Sequence, residues 1–145
     1  MNSGDQGIEV DGKEVPTYDL RRLRSSDGLS WPRQSGQVVM ELPPDDDEYG
    51  FGRPYVVRDE TGYELWYSIR TRSKGYRIGY ATETGAGELE RRDDEVGITV
   101  SDSGWDAEMV CFPALIEVGS DRYLFYNGNN FGETGFGVAR ELTDS

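Results

Sequence analysis

The 145 residues include no histidine, which removes Ser-His and Cys-His nucleophilic pairs and every histidine-based metal site. Acid-base chemistry therefore falls on carboxylates, tyrosine, lysine or the single thiol, Cys111. The segment Gly104-Trp105-Asp106-Ala107-Glu108-Met109 sets two carboxylates two positions apart beside an indole. Glu108 is the candidate general acid and Asp106 the nearest candidate for a second carboxyl, although that spacing is a poor way to place groups on opposite sides of a reacting bond. An equally weighted alternative is a structural ion pair of Glu108 with Arg53 or Arg70. Cys111, between Val110 and Phe112, reads as a buried inert thiol. The run Asp45-Asp46-Asp47-Glu48 lacks the spaced ligands and glycine of a calcium loop and reads as a solvated loop. No metal or other cofactor is expected.

The elements that would position these groups are short strands in a repeat. Pro54 to Tyr67 (PYVVRDETGYELWY) aligns without a gap on Pro113 to Tyr126 (PALIEVGSDRYLFY). In each, an apolar strand follows the proline, then a polar turn, then a strand closing on Leu-aromatic-Tyr. After a variable loop, Ile78-Gly79-Tyr80-Ala81 matches Phe136-Gly137-Val138-Ala139. Each unit thus carries three consecutive strand signals. Leu23 to Trp31 reads as the third strand and following turn of an earlier unit, with Val38 to Leu42 as its outer strand. Four short strands in a period of roughly 58 residues suit a propeller blade, a little longer than the common blade repeats. An antiparallel sandwich or meander is the alternative. Trp66-Tyr67 and Phe125-Tyr126 read as core and inter-blade packing. The cluster Gly128, Gly132, Gly135 and Gly137 opens no helix after a strand, so it reads as a place where the chain turns and strands approach closely.

Composition narrows the partners. A formal charge of -13 disfavours nucleic acid and anionic membranes, since both need a positive surface. No apolar run approaches the roughly 20 residues that cross a bilayer, and Met1 to Val10 lacks the pattern of a secretory signal, so a soluble, cytoplasmic protein is expected. Acidic excess with few lysines fits a halophilic or high-GC source. Residues 1–17 read as a flexible N-terminal leader and 18–145 as the folded domain.

Arg53-Pro54, then Leu65-Trp66-Tyr67-Ser68-Ile69-Arg70, then Tyr76-Arg77-Ile78-Gly79-Tyr80-Ala81, resembles the blades of glycoside hydrolase families 32, 43 and 130. Gly104 to Met109 with Pro113 following, Tyr126-Asn127-Gly128-Asn129, and Gly135 to Ala139 extend the resemblance to polysaccharide-linked members of that clan. It covers about Leu23 to Glu141. It implies an all-β fold, here a partial five-bladed β-propeller of about two to two and a half four-stranded antiparallel blades. The chain departs from the pattern in two ways. No segment matches the first blade opening, which carries a catalytic carboxylate in the family, and Arg53 stands where a second carboxylate would precede the proline. Glu108 is the plausible counterpart of the third acid, offset from Pro113.

If the prolines begin inner strands, Arg53, Glu108 and Met109 meet Ser68, Arg70, Asn127, Asn129 and Asn130 at one mouth, with Trp105 and Phe131 nearby. Guanidinium, carboxylate and amide groups beside aromatic faces suit a sugar. Substrate contacts are assigned to Arg53, Arg70, Trp105, Asn127, Asn129 and Asn130. The functional expectation is a carbohydrate-related protein, a glycoside hydrolase or phosphorylase, with a non-catalytic binding or assembly module and a truncated remnant as alternatives. An incomplete ring predicts a homo-oligomer or a partner chain that completes it.

Overall fold

Apolar alternation around tight polar turns makes the repeat units antiparallel sheets in the computed structural model, which describes residues 2–3, 7–32, 36–43, 47–85 and 87–142. Strand β1 (Asn2–Ser3) is followed by a hairpin of β2 (Gly7–Val10) and β3 (Lys13–Pro16). Strands β4 (Asp19–Arg22) and β5 (Gln37–Met40) join β1 in a first sheet, ordered β1-β4-β5. The second sheet is β6 (Glu48–Arg58), β7 (Tyr63–Thr71), β8 (Gly75–Glu83) and β9 (Leu89–Arg91), in chain order. The third is β10 (Cys111–Val118), β11 (Asp121–Asn127) and β12 (Phe136–Arg140). The described chain is otherwise loop, apart from a 3-10 turn at Asp93–Glu95 and a helical turn at Asn129–Gly132. No helix among the described residues is long and apolar enough to cross a membrane.

Three boundaries differ from the sequence expectation. The strand before β5 is Asp19–Arg22, upstream of Leu23, because Ser25 to Ser30 closes into a turn instead. There the Asp27 carboxylate accepts from the Leu29 and Ser30 amides, at 2.9 and 2.8 Å, and Gly28 takes a φ of 73°. Second, Pro54 and Pro113 lie inside β6 and β10 at β-bulges, between Gly52 and Tyr55 and between Cys111 and Ala114. Third, residues 7–16, within the segment read as a leader, form the β2-β3 hairpin. Asp11 and Gly12, with φ of 51° and 73°, supply the paired left-handed residues that a two-residue hairpin turn favours.

The sheets stack in chain order. Leu20 and Met40 of the first sheet pack with Phe51, Leu65, Tyr67, Ile69 and Ala81 of the second. The opposite face of the second sheet, through Val57, Trp66, Ile78 and Tyr80, packs with Val110, Leu115, Leu124 and Tyr126. Directional bonds fix this second junction. Tyr55 donates to the Leu115 carbonyl at 2.7 Å, Ser68 Oγ accepts from the Phe112 amide at 2.8 Å, and Arg122 pairs with Glu64.

The repeat is also carried by a glycine-tyrosine contact. A Cβ on Gly79 would run into the Tyr67 ring, and one on Gly137 into the rings of Tyr126 and Trp105. Each tyrosine hydroxyl then reaches an aspartate: Tyr67 to Asp93 at 2.5 Å and Tyr126 to Asp106 at 3.4 Å. Burial, with the Asp93 charge adding to it, raises the Tyr67 pKa, and burial with Asp106 beside it raises that of Tyr126.

Candidate functional site

Arg53 and Phe112 occupy the same position of the two repeats, directly before the bulge prolines. Both have left-handed backbones, with φ of 47° and 58°. A non-glycine residue there costs on the order of 1 kcal/mol, and such strain gathers at functional sites. The bulge turns each side chain out of the ladder, and the Arg53 guanidinium carbon lies 4.7 Å from the Phe112 ring centre.

These two residues line a cavity of about 250 Å³ together with Tyr18, Phe51, Gly52, Arg70 and Tyr76. Arg70 comes from the end of β7, where it pairs with Tyr76 of β8. Its guanidinium carbon sits 4.7 Å from the Tyr49 ring centre, 5.2 Å from that of Tyr18 and 5.8 Å from that of Tyr76. Arg70 Nη1 donates to the Pro16 carbonyl at 3.2 Å, while its Nε is buried without a hydrogen-bond partner. Phe131 extends the aromatic wall, stacked on Phe112 at 5.8 Å and edge-on to Tyr76 at 5.1 Å. Burial raises the Tyr76 pKa against the opposing pull of Arg70. Burial likewise pushes the Cys111 thiol up to about 12 despite nearby Arg53, so the thiol stays protonated at neutral pH and is no nucleophile.

The structure thus brings Arg53 and Arg70 into one cleft and gives the other sequence candidates different work. Trp105 stacks on Tyr126 at 5.6 Å and fills the space left by Gly128 and Gly137, so its ring packs inside the protein. Asp106 is 5% exposed and engaged with Tyr126. Asn129 is buried and holds the loop before β10: Oδ1 accepts from the Glu108 and Met109 amides, and Nδ2 donates to the Gly104 carbonyl. Asn127 Nδ2 donates to the Phe131 carbonyl at 2.8 Å. Asn130, exposed with a φ of 51°, shapes the turn that presents Phe131. Ser68 is buried at the sheet junction.

Glu108 is exposed and held by its backbone, its amide bound to Asn129 and its carbonyl accepting from Arg77 at 3.0 Å. No ion pair among the described residues joins it to Arg53 or Arg70, so the structural-pair alternative is not what the geometry shows. With Asp106 buried under Tyr126, the two carboxylates do not face a common space.

Tyr18, Tyr49, Tyr76 and Phe112 escaped assignment. Phe112 had a signal, its repeat equivalence to Arg53. Tyr18 and Tyr49 had none: Tyr49 reaches Arg70 through the β6-β7 pairing, where Gly50 opposes Arg70, and Tyr18 through the bridge of the chain before β4 to Gly50. Of the acidic run, Asp45 and Asp46 lie outside the described residues. Asp47 accepts from the Ser73 amide and hydroxyl at 2.9 Å each, which lowers its pKa, and Glu48 makes a two-bonded ion pair with Arg91. No cluster of three or more metal-ligating side chains occurs among the described residues.

A larger groove of about 760 Å³ lies between the first and second sheets, lined by apolar residues such as Leu20, Val39 and Leu65 and also by Arg21, Arg22, Arg24, Glu83, Trp31 and Tyr63. Its arginines share the space with a carboxylate, Glu83, and no left-handed non-glycine backbone lines it. The smaller cavity is the better candidate because strained backbone, two guanidinium groups and an aromatic wall converge there.

No family model matches the chain. It is 33% identical over 126 residues to the uncharacterized protein Rv1502 of Mycobacterium tuberculosis strain H37Rv, an alignment covering 87% of this chain and 40% of that protein. The uncharacterized protein MT1551 of strain CDC 1551 is 32% identical over the same shares. The chain therefore spans about two fifths of the length of the curated relatives it matches. Among solved structures, a glycoside hydrolase superposes with a TM-score of 0.69 at 15% identity, over 95% of this chain and 40% of that one. A BT0996 RGII complex gives 0.68 at 16% identity, over 94% and 39%. At these identities the likeness establishes the fold: an all-β stack of antiparallel sheets shared, over nearly its whole length, with a glycoside hydrolase.

Proposed function

We propose that this chain is part of a carbohydrate-recognising protein with a five-bladed propeller architecture, and that the cleft of Arg53, Arg70, Tyr18, Tyr76 and Phe112 receives a sugar ring. The observation that carries this reading is the convergence of two guanidinium groups and an aromatic wall at paired bulges of the repeat. Aromatic faces take the apolar face of a sugar, and guanidinium forks take its oxygens. Likeness in fold to a glycoside hydrolase supports the ligand class.

Binding is favoured over turnover by this chain's own residues. Glycoside hydrolysis ordinarily needs two carboxyls flanking the scissile bond, and here Asp106 is buried against Tyr126 while Glu108 is exposed. The hydrolase reading keeps one supporting observation, the exposed and unpaired carboxylate of Glu108.

Calorimetry and a reducing-sugar assay over a glycan panel decide between them. The expected result is saturable binding that weakens about tenfold or more in Phe112→Ala through lost ring stacking, with no reducing ends released. A hydrolase would instead lose about 10² to 10⁴-fold in turnover in Glu108→Gln while retaining binding. Absence of binding to every glycan would overturn the carbohydrate reading.

A further inference from the structure

The charge of the cleft runs against that of the molecule. In a chain of formal charge -13, arginines have carboxylates to choose from. Arg91 takes Glu48 and Asp93, Arg122 takes Glu64, Arg92 takes Glu90, and Arg21 takes Asp19, whereas Arg22, Arg24, Arg58, Arg72 and Arg77, like Arg53 and Arg70, make no ion pair among the described residues. Arg53 and Arg70 line the same cavity, and no carboxylate among the described residues pairs with either. Their surroundings are rings instead: Phe112 beside Arg53, and Tyr18, Tyr49 and Tyr76 around Arg70. The residues that line the cavity, Tyr18, Phe51, Gly52, Arg53, Arg70, Tyr76 and Phe112, include no carboxylate. The Arg70 Nε donor is buried and unsatisfied.

Two unneutralised guanidinium groups facing one space lined by rings form a site for an anion that carries an apolar face. A guanidinium fork matches a carboxylate with two parallel hydrogen bonds, and a partly desolvated site strengthens them. A neutral sugar would leave both positive charges without a counter-charge. We propose that the Arg53-Arg70 cleft recognises an acidic sugar, its carboxylate held between the two guanidinium groups and its ring lying against Phe112 and Tyr76. This rests on the glycan reading above and names the ligand class for the same site.

The test uses the full chain and matched ligands: oligosaccharides of glucuronate, galacturonate or mannuronate, each beside its carboxyl-reduced neutral counterpart, with inorganic phosphate as a bare oxyanion. The expected result is that one acidic oligosaccharide binds about tenfold or more tighter than its neutral counterpart, the size of a charge-assisted hydrogen-bond pair. That advantage should shrink in molar KCl and disappear in Arg53→Gln and Arg70→Gln, in which acidic and neutral forms should bind alike. Arg53 is exposed, so Arg53→Gln remains a folded readout even if Arg70→Gln destabilises the chain. Equal binding of acidic and neutral forms would overturn this proposal and leave the glycan reading standing. Phosphate binding as tightly as the acidic oligosaccharide, without a contribution from the ring, would overturn it in favour of a bare oxyanion site. No binding of any sugar would overturn both.

Discussion

At the scale of single residues, burial decides which reactive-looking groups are inert. Cys111 is fully buried, and its thiol pKa is pushed up to about 12, whereas an unfolded cysteine titrates near ~8.5. The folded state therefore holds the proton after the unfolded chain has released it. Stability linked to this group is complete below pH ~8.5 and lost as pH rises toward 12, by about 2 kcal/mol at pH 10. Urea midpoints measured from pH 7 to 10 should fall along that course, and Cys111→Ala should flatten the portion below the onset of tyrosine ionisation. A parent midpoint independent of pH would refute the assignment. Asp106 shows the same lesson for the candidate acids, since its place under Tyr126 gives it a structural partner rather than a substrate.

At the scale of elements, the bulges in β6 and β10 are the devices that build the cleft. The ladder registers match across the repeat: Gly52 opposes Ser68 before the first bulge and Tyr55 opposes Trp66 after it, while Cys111 opposes Asn127 and Ala114 opposes Phe125. Each bulge opens on a non-glycine residue with a left-handed backbone, Arg53 or Phe112. Strain of that kind should be relieved by glycine, so Arg53→Gly is expected to leave thermal stability unchanged or raise it by up to about 1 kcal/mol. The same substitution should remove the preference for the acidic ligand. Differential scanning calorimetry paired with binding titrations would show this opposition, and a marked loss of stability in Arg53→Gly would argue against stored strain at the bulge.

At the scale of the molecule, the repeat explains an apolar surface. Val57, Trp66, Ile78 and Tyr80 form the face of the second sheet on which the third packs. Their repeat counterparts on the third sheet are Ile116, Phe125, Phe136 and Val138, which are exposed by 47%, 37%, 68% and 50%. Cross-strand pairing of Phe125 with both Ala114 and Val138 keeps these residues on one face. A surface of this kind is a mark of association, and we expect a second copy of the chain to cover it by an isologous contact. Light scattering behind a sizing column should show a dimer at micromolar concentration, and Phe125→Asp with Val138→Asp should give monomers. A parent chain that is monomeric throughout would refute this.

The sequence by itself determined the all-β class, the unit that repeats, the turn residues and the two arginines of the cleft. These follow from local alternation, turn chemistry and the shared pattern of two segments that align without a gap. It did not determine the strand before β5, because a polar turn at Ser25 to Ser30 displaced it upstream. The fates of Trp105, Asp106 and Asn129 were likewise out of reach. An indole, a carboxylate and an amide look the same in sequence whether they face a ligand or a neighbouring strand. Only the folding of the loop before β10 onto the third sheet and its β11-β12 turn decided that Gly128 and Gly137 make room for Trp105, that Tyr126 takes Asp106, and that Asn129 ties that loop down. The cleft itself was a tertiary outcome for the same reason. Tyr18, Arg53, Arg70 and Phe112 come from three different sheets or their approaches, and packing between those sheets is what places their side chains around one cavity.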